Sequence, residues 1–250
     1  MKLAVGPAWD SPFVYRAWAE TMFNLQRPAG WDVRLFMGKG WCPAKRHIDL
    51  CERALAWGAD AICFLGADQL YPEDLLLRLL ARQAEGYEVV AALVPARGYV
   101  SWQDMRPFQK MAWRFKAGNC DALRPYRNME LDGDMMEVIR PRTGMQRCDF
   151  IGSGVLLFQR DHLLSLKRPW FYETIYWPNF GRQANQDTGF VWRLQTEAHA
   201  QVWVDTDIEV THLHIFEIDD TYPDRFPDWE RAGQGDPSIC RYRDPVETPA

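Results

Sequence analysis

The sequence predicts an α/β fold, a Rossmann-like and mostly parallel sheet flanked by helices. Three observations predict it. Short apolar runs alternate with stretches of helical period over the first hundred residues, a βαβαβαβ rhythm. The run Ala61-Ile62-Cys63-Phe64-Leu65 is apolar throughout, as expected of a strand buried on both faces. Prolines and acids stand where helices begin, and glycines where they end.

Taken in order, Lys2 to Val5 reads as a first strand, followed by a Pro/Trp/Asp/Ser loop and a helix from about Phe13 to Leu25. Asp32 to Met37 is the second strand. Cys42-Pro43 opens a helix whose proline sits near the first turn, where its missing N–H is harmless. Ile48, Cys51 and Leu55 form one apolar stripe along it, and Gly58 ends it. The buried strand stops at Gly66, and Pro72-Glu73-Asp74 starts a helix with two acids in its first turn, as the helix dipole favours. Val89 to Val94 is the next strand.

Residues 95–148 break the rhythm. The segment reads as a long irregular insertion and holds ten Lys/Arg against six Asp/Glu, so it carries +4 in a chain of −5. Such a stretch is either a lid or binding loop, or a poorly ordered surface insertion. Order returns at Asp149. Val155 to Phe158 is a strand, and Asp187 to Ala198 is a helix with Phe190, Val191 and Leu194 inward. Val202 to Val204 and Ile208 to Val210 are short strands. From Glu217 onward there are five prolines and nine acids against four arginines, which predicts an extended arm packed on the domain. The expected organisation is an α/β domain over 1–216, with the insertion at 95–148, and a C-terminal arm over 217–250.

Composition excludes several classes. With 250 residues, 47% hydrophobic and 25% charged, the chain is globular and large enough for a core without disulfides. No apolar run approaches the roughly 20 residues of a membrane span. The apolar start is too short for a secretory signal, so a cytoplasmic protein is expected. A net charge of −5 disfavours a generic nucleic-acid binder. The six cysteines form no C-x-x-C, so reduced thiols are expected, with Cys51 and Cys63 in the core. The 12 Trp, 13 Phe and 9 Tyr serve either a core or sugar-facing surfaces.

Four constellations carry candidate chemistry. Asp68 stands just past the end of the buried strand, where open α/β sheets bind ligands. It either holds a hard divalent cation or caps the next helix. His212 and His214 follow a strand two residues apart, which puts both imidazoles on one face, as metal ligands or as structural histidines. Asp187 opens a helix, either as its cap or as a general base. Gly152-Ser153-Gly154 is either a turn that lets a ligand approach the backbone or a bulge.

In this order and spacing the motifs resemble the GT-A type nucleotide-sugar glycosyltransferases, in particular the small family-2-like enzymes of bacteria, archaea and their viruses. Ala44-Lys45-Arg46-His47-Ile48 with Ala54-Leu55 and Gly58-Ala59-Asp60 resembles the family's "A-R-N … a-l … G-A-D". Phe64-Leu65-Gly66-Ala67-Asp68, with Tyr71-Pro72 and Asp74-Leu75, resembles "f-l-D-x-D … f-P-x-D-L". Asp149 to Phe158 is similar to "v-x-x-i-G-x-G-x-x-L-i", and Pro169-Trp170-Phe171 to "P-W-F". Gln186-Asp187-Thr188-Gly189-Phe190 stands where the family has "E-D-x-x-F", and Val204 to His212 matches "v-D-t-d-i-x-v-x-H". The resemblance spans about residues 1–216.

The resemblance implies roles. Asp68 and His212, with His214 as a further candidate, would hold a divalent metal, Mn2+ or Mg2+, against the diphosphate. Asp187 would be the base. Pro7, Ala8 and Trp9 would lie near the nucleotide base, Arg46 near the ribose or phosphates, and Ala67 beside the nucleotide sugar. Gly152, Ser153, Gly154 and Trp170 would border the acceptor. Three positions depart from the family: Gly66 replaces the first Asp of D-x-D, Gln186 replaces Glu, and His47 replaces Asn.

The implied reaction moves a sugar from a UDP- or GDP-sugar to an acceptor hydroxyl with inversion, and the insertion would act as a lid that excludes water. The acceptor classes are a glycan, a lipid-linked sugar or a modified nucleic-acid base, because Arg suits phosphate recognition. The alternative class is a non-catalytic sugar-nucleotide or glycan-binding protein on the same fold. A nucleotidyltransferase would want a Gly-rich phosphate loop after the first strand, and Gly6-Pro7-Ala8-Trp9 is not one.

Overall fold

The computed structural model of the chain describes residues 1–95, 112–115, 136–139, 141–177 and 182–213. Its first part runs β1 (Lys2–Gly6), α1 (Arg16–Asn24), β2 (Asp32–Leu35), α2 (Pro43–Trp57), β3 (Ala61–Leu65), β4 (Gln69–Leu70), α3 (Leu75–Ala84) and β5 (Val89–Ala92). There follow β6 (Ala112–Phe115), β7 (Met136–Val138), β8 (Met145–Arg147), β9 (Phe150–Ile151), β10 (Val155–Gln159) and α4 (Arg160–Leu164). The last elements are β11 (Thr174–Trp177), β12 (Arg182–Asn185), α5 (Gln186–Thr196), β13 (Val202–Asp205) and β14 (Thr211–His212).

Seven strands form the central sheet, in the order β2-β1-β3-β10-β5-β13-β8. β1 pairs parallel with β2 and β3, and β13 pairs parallel with β5. β10 runs antiparallel between β3 and β5, and β8 runs antiparallel along β13. Five of the seven strands therefore point one way, and the sheet is mostly parallel as expected. The reversal of β10 was not in the hydrophobic pattern, because a strand buried on both faces reads the same in either direction. Its effect is local and decisive: Val155, at the start of β10, pairs with Leu65 at the end of β3.

Helices cover both faces of the sheet. Side-chain alternation sends Ile62 and Phe64 of β3 into one core, and Ala61, Cys63 and Leu65 into the other. The first core receives Ala44, Leu50, Cys51 and Ala54 of α2 and Phe190, Val191 and Leu194 of α5. The second receives Trp18 of α1 and Leu75, Leu76 and Leu79 of α3. Phe64, Phe158, Phe171 and Phe190 interlock in the first core, Phe171 and Phe190 stacking at 4.2 Å. For these four aromatics the core reading holds.

Several elements differ in detail from the sequence reading. α2 starts on Pro43 and is closed by Gly58 at φ 81°, a left-handed conformation that glycine adopts without penalty. Its buried face is Ala44, His47, Leu50, Cys51 and Ala54, and Ile48 and Leu55 of the expected stripe lie at its margin. α1 starts at Arg16, and Phe13 is 80% exposed in the loop before it. Residues 208–210 are not a strand; the strand forms at Thr211–His212, where β4 supplies the partner. The 95–148 segment is not irregular throughout: β6 pairs with β7 and β9, and β8 extends the main sheet. The rest of that segment and the 217–250 arm lie outside the described residues. Cys51 and Cys63 are fully buried, and Cys42, Cys51, Cys63 and Cys148 are free thiols. Among the described residues no helix is long and apolar enough to cross a membrane.

Candidate active site

The parallel strands end at one edge of the sheet, and the candidate residues collect there. The chain leaves β3 at Leu65, turns through Gly66-Ala67-Asp68 and enters β4. β4 pairs with β14, setting His212 opposite Gln69, and the Leu213 N–H donates to the Asp68 carbonyl at 2.6 Å. This short ladder brings Asp68 and His212 together from opposite ends of the sequence. His212 Nε2 lies 3.5 Å from Asp68 Oδ2. Its Nδ1 lies 2.7 Å from the Pro95 carbonyl, an acceptor only, so Nδ1 carries the proton and donates. In the neutral ring Nε2 is then a bare lone pair, buried, with no hydrogen-bond partner, and aimed at a carboxylate oxygen.

His212 Nε2 and Asp68 Oδ2 face one another across a buried gap, and both atom types can ligate a cation. A carboxylate oxygen suits Mn2+ or Mg2+, and the imidazole nitrogen favours a first-row ion such as Mn2+ over Mg2+, which prefers oxygen ligands. Among the described residues no group of three or more His, Cys, Asp or Glu could hold a metal, so the set present is this pair. His214 lies outside the described residues.

Gly66 has a visible local consequence. The Gln69 side chain is buried against it: a Cβ at position 66 would come within 2.7 Å of the Gln69 amide. A Cβ on Gly154 would overlap the same amide. The two glycines thus make room for a carboxamide beside Asp68, where a side chain at 66 would otherwise project. The Tyr71 hydroxyl donates to the Gly66 carbonyl at 2.6 Å. Burial, reinforced by the Asp68 carboxylate, pushes the Tyr71 phenol well above its ordinary range, which keeps that donor protonated.

The second cluster is built around Asp187, in the first turn of α5. The Ser153 hydroxyl lies 2.6 Å from Asp187 Oδ1. His47 Nε2 lies 3.1 Å from the same hydroxyl and 3.9 Å from the carboxylate. His47 Nδ1 lies 2.9 Å from the Pro43 carbonyl. The imidazole stacks on Phe171 at 4.7 Å and meets the edge of Phe64 at 4.9 Å. Burial holds His47 below its ordinary value, opposed first by the Asp187 charge. The Asp187 side chain keeps 18% of its surface exposed, against 6% for His47.

The two clusters share the 152–154 turn. Gly154 accepts a hydrogen bond from the Gly66 N–H at 2.8 Å, next to Asp68, while Ser153 holds Asp187. This follows from the reversed β10, whose start abuts the end of β3.

The remaining expected residues fall as follows. Pro7, Ala8 and Trp9 leave β1 at the same sheet edge; the Pro7 carbonyl accepts from Gly38, and the Trp9 indole N–H donates to the Phe13 carbonyl. Arg46 is half-buried on the first turns of α2, its Nε donating to the Gly40 carbonyl. Ala67 is buried. Gly152 is buried and Gly154 is half-buried. Trp170 is only 2% exposed and belongs to the core, with the Arg168 guanidinium 4.3 Å from its ring, so it presents no free ring face to an acceptor. Its turn is held by Arg193, which donates to the carbonyls of Lys167, Pro169 and Trp170 and pairs with Glu197.

Sequence reasoning missed three contributors. His47 was readable only as a departure from a motif, although a ring on the buried face of α2 is itself a signal. Gln69 and Arg193 carry no sequence signal, since their roles depend on neighbours far away in the chain.

No family model matches the chain, and no curated sequence matches it. Among solved structures, the A197 protein of STIV is similar with a TM-score of 0.51 at 14% identity, covering 85% of this chain and 85% of that one. That likeness shows a shared fold. Lower similarity is found with an apo UDP-glucose pyrophosphorylase (TM-score 0.37, 8% identity, 81% of this chain and 63% of that one). A mannose-1-phosphate geranyltransferase from Thermus thermophilus is comparable (TM-score 0.34, 15% identity, 71% and 54%).

Proposed function

We propose that the chain is a glycosyltransferase that moves a sugar from a nucleoside-diphosphate sugar, a UDP- or GDP-sugar, to an acceptor hydroxyl with inversion. One observation carries the reading. A buried lone pair facing a carboxylate, His212 and Asp68, and a half-open carboxylate, Asp187, are fixed on either side of one turn at the ligand-binding edge of the sheet.

In this reading Asp68 and His212 hold the divalent cation, which when bound offsets the charge that develops on the departing diphosphate. Asp187 accepts the proton of the acceptor hydroxyl as its oxygen bonds to the sugar carbon. The hydroxyl oxygen attacks opposite the leaving group, which gives inversion. The Ser153 hydroxyl orients the carboxylate by bonding one of its oxygens and leaving the other to the acceptor. The transition state is oxocarbenium-like, as in glycoside hydrolysis, so water is the competing nucleophile. Pro7, Ala8, Trp9, Arg46 and Ala67 lie on the donor side of the edge, and the 152–154 turn lies on the acceptor side. The acceptor is a glycan, a lipid-linked sugar or a modified nucleic-acid base.

Thermal shifts against UDP-, GDP-, CMP- and dTDP-sugars, with and without Mn2+, test the reading. A ligand at 100 times its Kd adds about 2.7 kcal/mol, roughly 5–10 °C for a domain of this size. A Mn2+-dependent shift with one nucleotide is expected, and no shift with any donor would sink the reading. The second reading, a non-catalytic sugar-nucleotide or glycan-binding protein, is favoured by Gly66, where a neutral amide fills the space beside Asp68. It predicts nucleotide or glycan binding with no turnover.

A further inference from the structure

Three contacts run in a line from the floor of α2 to the site: Pro43 carbonyl to His47 Nδ1, His47 Nε2 to Ser153 Oγ, and Ser153 Oγ to Asp187 Oδ1. Their protons can be counted. The Pro43 carbonyl can only accept, so the first contact needs a proton on Nδ1. The serine hydroxyl has one proton and sits between two acceptors, a bare Nε2 and a carboxylate oxygen. With a neutral imidazole and an ionised Asp187, one of the three contacts must lack a proton. With one proton more, all three are hydrogen bonds. That proton can reside at either end, as a carboxylic acid on Asp187 or as an imidazolium on His47, and the serine donates toward the other end in each case.

We infer that His47, Ser153 and Asp187 form a proton relay, in which the proton taken up by Asp187 passes through the Ser153 hydroxyl to His47 Nε2. The inference rests on the reading of Asp187 as the general base. The steps balance. The acceptor oxygen gives its proton to the Asp187 carboxylate and its electron pair to the sugar carbon, and the diphosphate leaves with the pair of the broken C–O bond. The proton lands on the carboxyl oxygen that Ser153 does not hold; rotation of the carboxyl about its Cβ–Cγ bond turns that O–H to Ser153, and the carboxyl then gives it to Oγ while Oγ gives its own to Nε2. Asp187 returns to the carboxylate form and His47 becomes the imidazolium, bonded at both nitrogens.

The surroundings suit a store that is filled only during the reaction. Phe64 and Phe171 wall the imidazole, and its burial favours the neutral form at rest. The charged groups that face it are Asp187, Glu173 and Arg46. The two carboxylates favour the cation, and Glu173 is anchored at the start of α2 by the Ala44 N–H. Asp187 is the more open end of the line, with 18% of its side chain exposed against 6% for His47. His47 and Ser153 act through Asp187 as positioning residues and are given no contact with substrate.

The relay is testable without a substrate, because the same path carries ordinary exchange between His47 and water. The measurement is water-saturation transfer to the ring N–H protons of His47 by NMR on the ligand-free, 15N-histidine-labelled chain, assigned with His47→Gln. Ser153→Ala and Asp187→Asn are each expected to slow exchange at His47 at least tenfold, and Ser153→Thr, which keeps the hydroxyl, to restore it. A merely structural Ser153 predicts the opposite sign, since a lost contact opens the core and speeds exchange. An unchanged or faster rate in Ser153→Ala would overturn the relay. If that variant does not fold, the same outcome in Asp187→Asn would overturn it. The donor panel decides the glycosyl-transfer reading separately: slowed exchange with no nucleotide shift would leave the wire and remove its assigned reaction, and the reverse result would leave a base without a relay.

Discussion

His212 turns Nε2 toward Asp68 Oδ2 at 3.5 Å while its Nδ1 is committed to the Pro95 carbonyl. The pair presents an imidazole nitrogen and a carboxylate oxygen to one buried gap. Asp68→Ala should abolish the Mn2+-dependent part of any nucleotide thermal shift. Mn2+ titration followed by electron paramagnetic resonance should show the same loss. Metal binding that survives the substitution would place the ion elsewhere.

Asp187→Asn keeps the shape at the start of α5 and removes the proposed base. Transfer should fall by about 10²–10⁴, the usual scale of general-base catalysis, while the nucleotide-induced shift stays. A variant that no longer responds to nucleotide would show Asp187 to be a structural residue.

Gly66→Ala should destabilise the fold by about 1–3 kcal/mol, the scale of overpacking, because the new methyl meets the Gln69 amide. In Gly66→Ala/Gln69→Ala most of that loss should return. The double-mutant cycle in urea reads the coupling directly, and additive losses would mean that Gln69 does not fill the space beside Gly66.

Arg193→Met should cost about 3 kcal/mol. The carbonyls of Lys167, Pro169 and Trp170 would lose their common donor in a buried setting, at about 1–3 kcal/mol for each group left unpaired. The drop in urea midpoint measures it, and a loss below about 0.5 kcal/mol would show that water replaces the guanidinium.

Stability should fall as pH drops from 7.5 to 5.5. Burial holds His47, and to the same sign the half-buried His162, below the ordinary value of 6.5. The unfolded chain then binds protons first. The contribution is complete above about pH 6.5 and is lost as pH falls from there through the folded values. His47→Gln should flatten the slope of unfolding free energy against pH in this window, and an unchanged slope would assign the effect to other groups. Glu197, held down by Arg193, acts in the opposite part of the scale, below its ordinary 4.5.

The fold was largely legible because its signals are local. The five apolar residues of β3, Pro43 and Gly58 at the ends of α2, and Phe190, Val191 and Leu194 on α5 each declare their element within a few positions. The order of Asp68, Asp187 and His212 was legible for the same reason, since each stands at an element boundary. The direction of β10 was not, because pairing is a long-range choice. The partners of Asp187 were not legible either: His47 and Ser153 meet across 106 residues. Trp170 was placed beside the acceptor only by its likeness to "P-W-F", yet Arg193 and the aromatic core draw it inside. The insertion was read as irregular because β6, β7 and β8 have three or four residues each, too few to show a period.

Because β10 runs against its neighbours, chain arriving at it must enter from the reactive edge, and chain departing from it, through α4, leaves at the back. Whatever length is added or removed just before β9 and β10 is thus delivered beside the candidate site, and whatever changes after Gln159 is delivered away from it. The two ends of this one strand therefore answer to different constraints: a loop entering it must fit around Asp187 and Asp68, and a loop leaving it need only clear the opposite edge of the sheet.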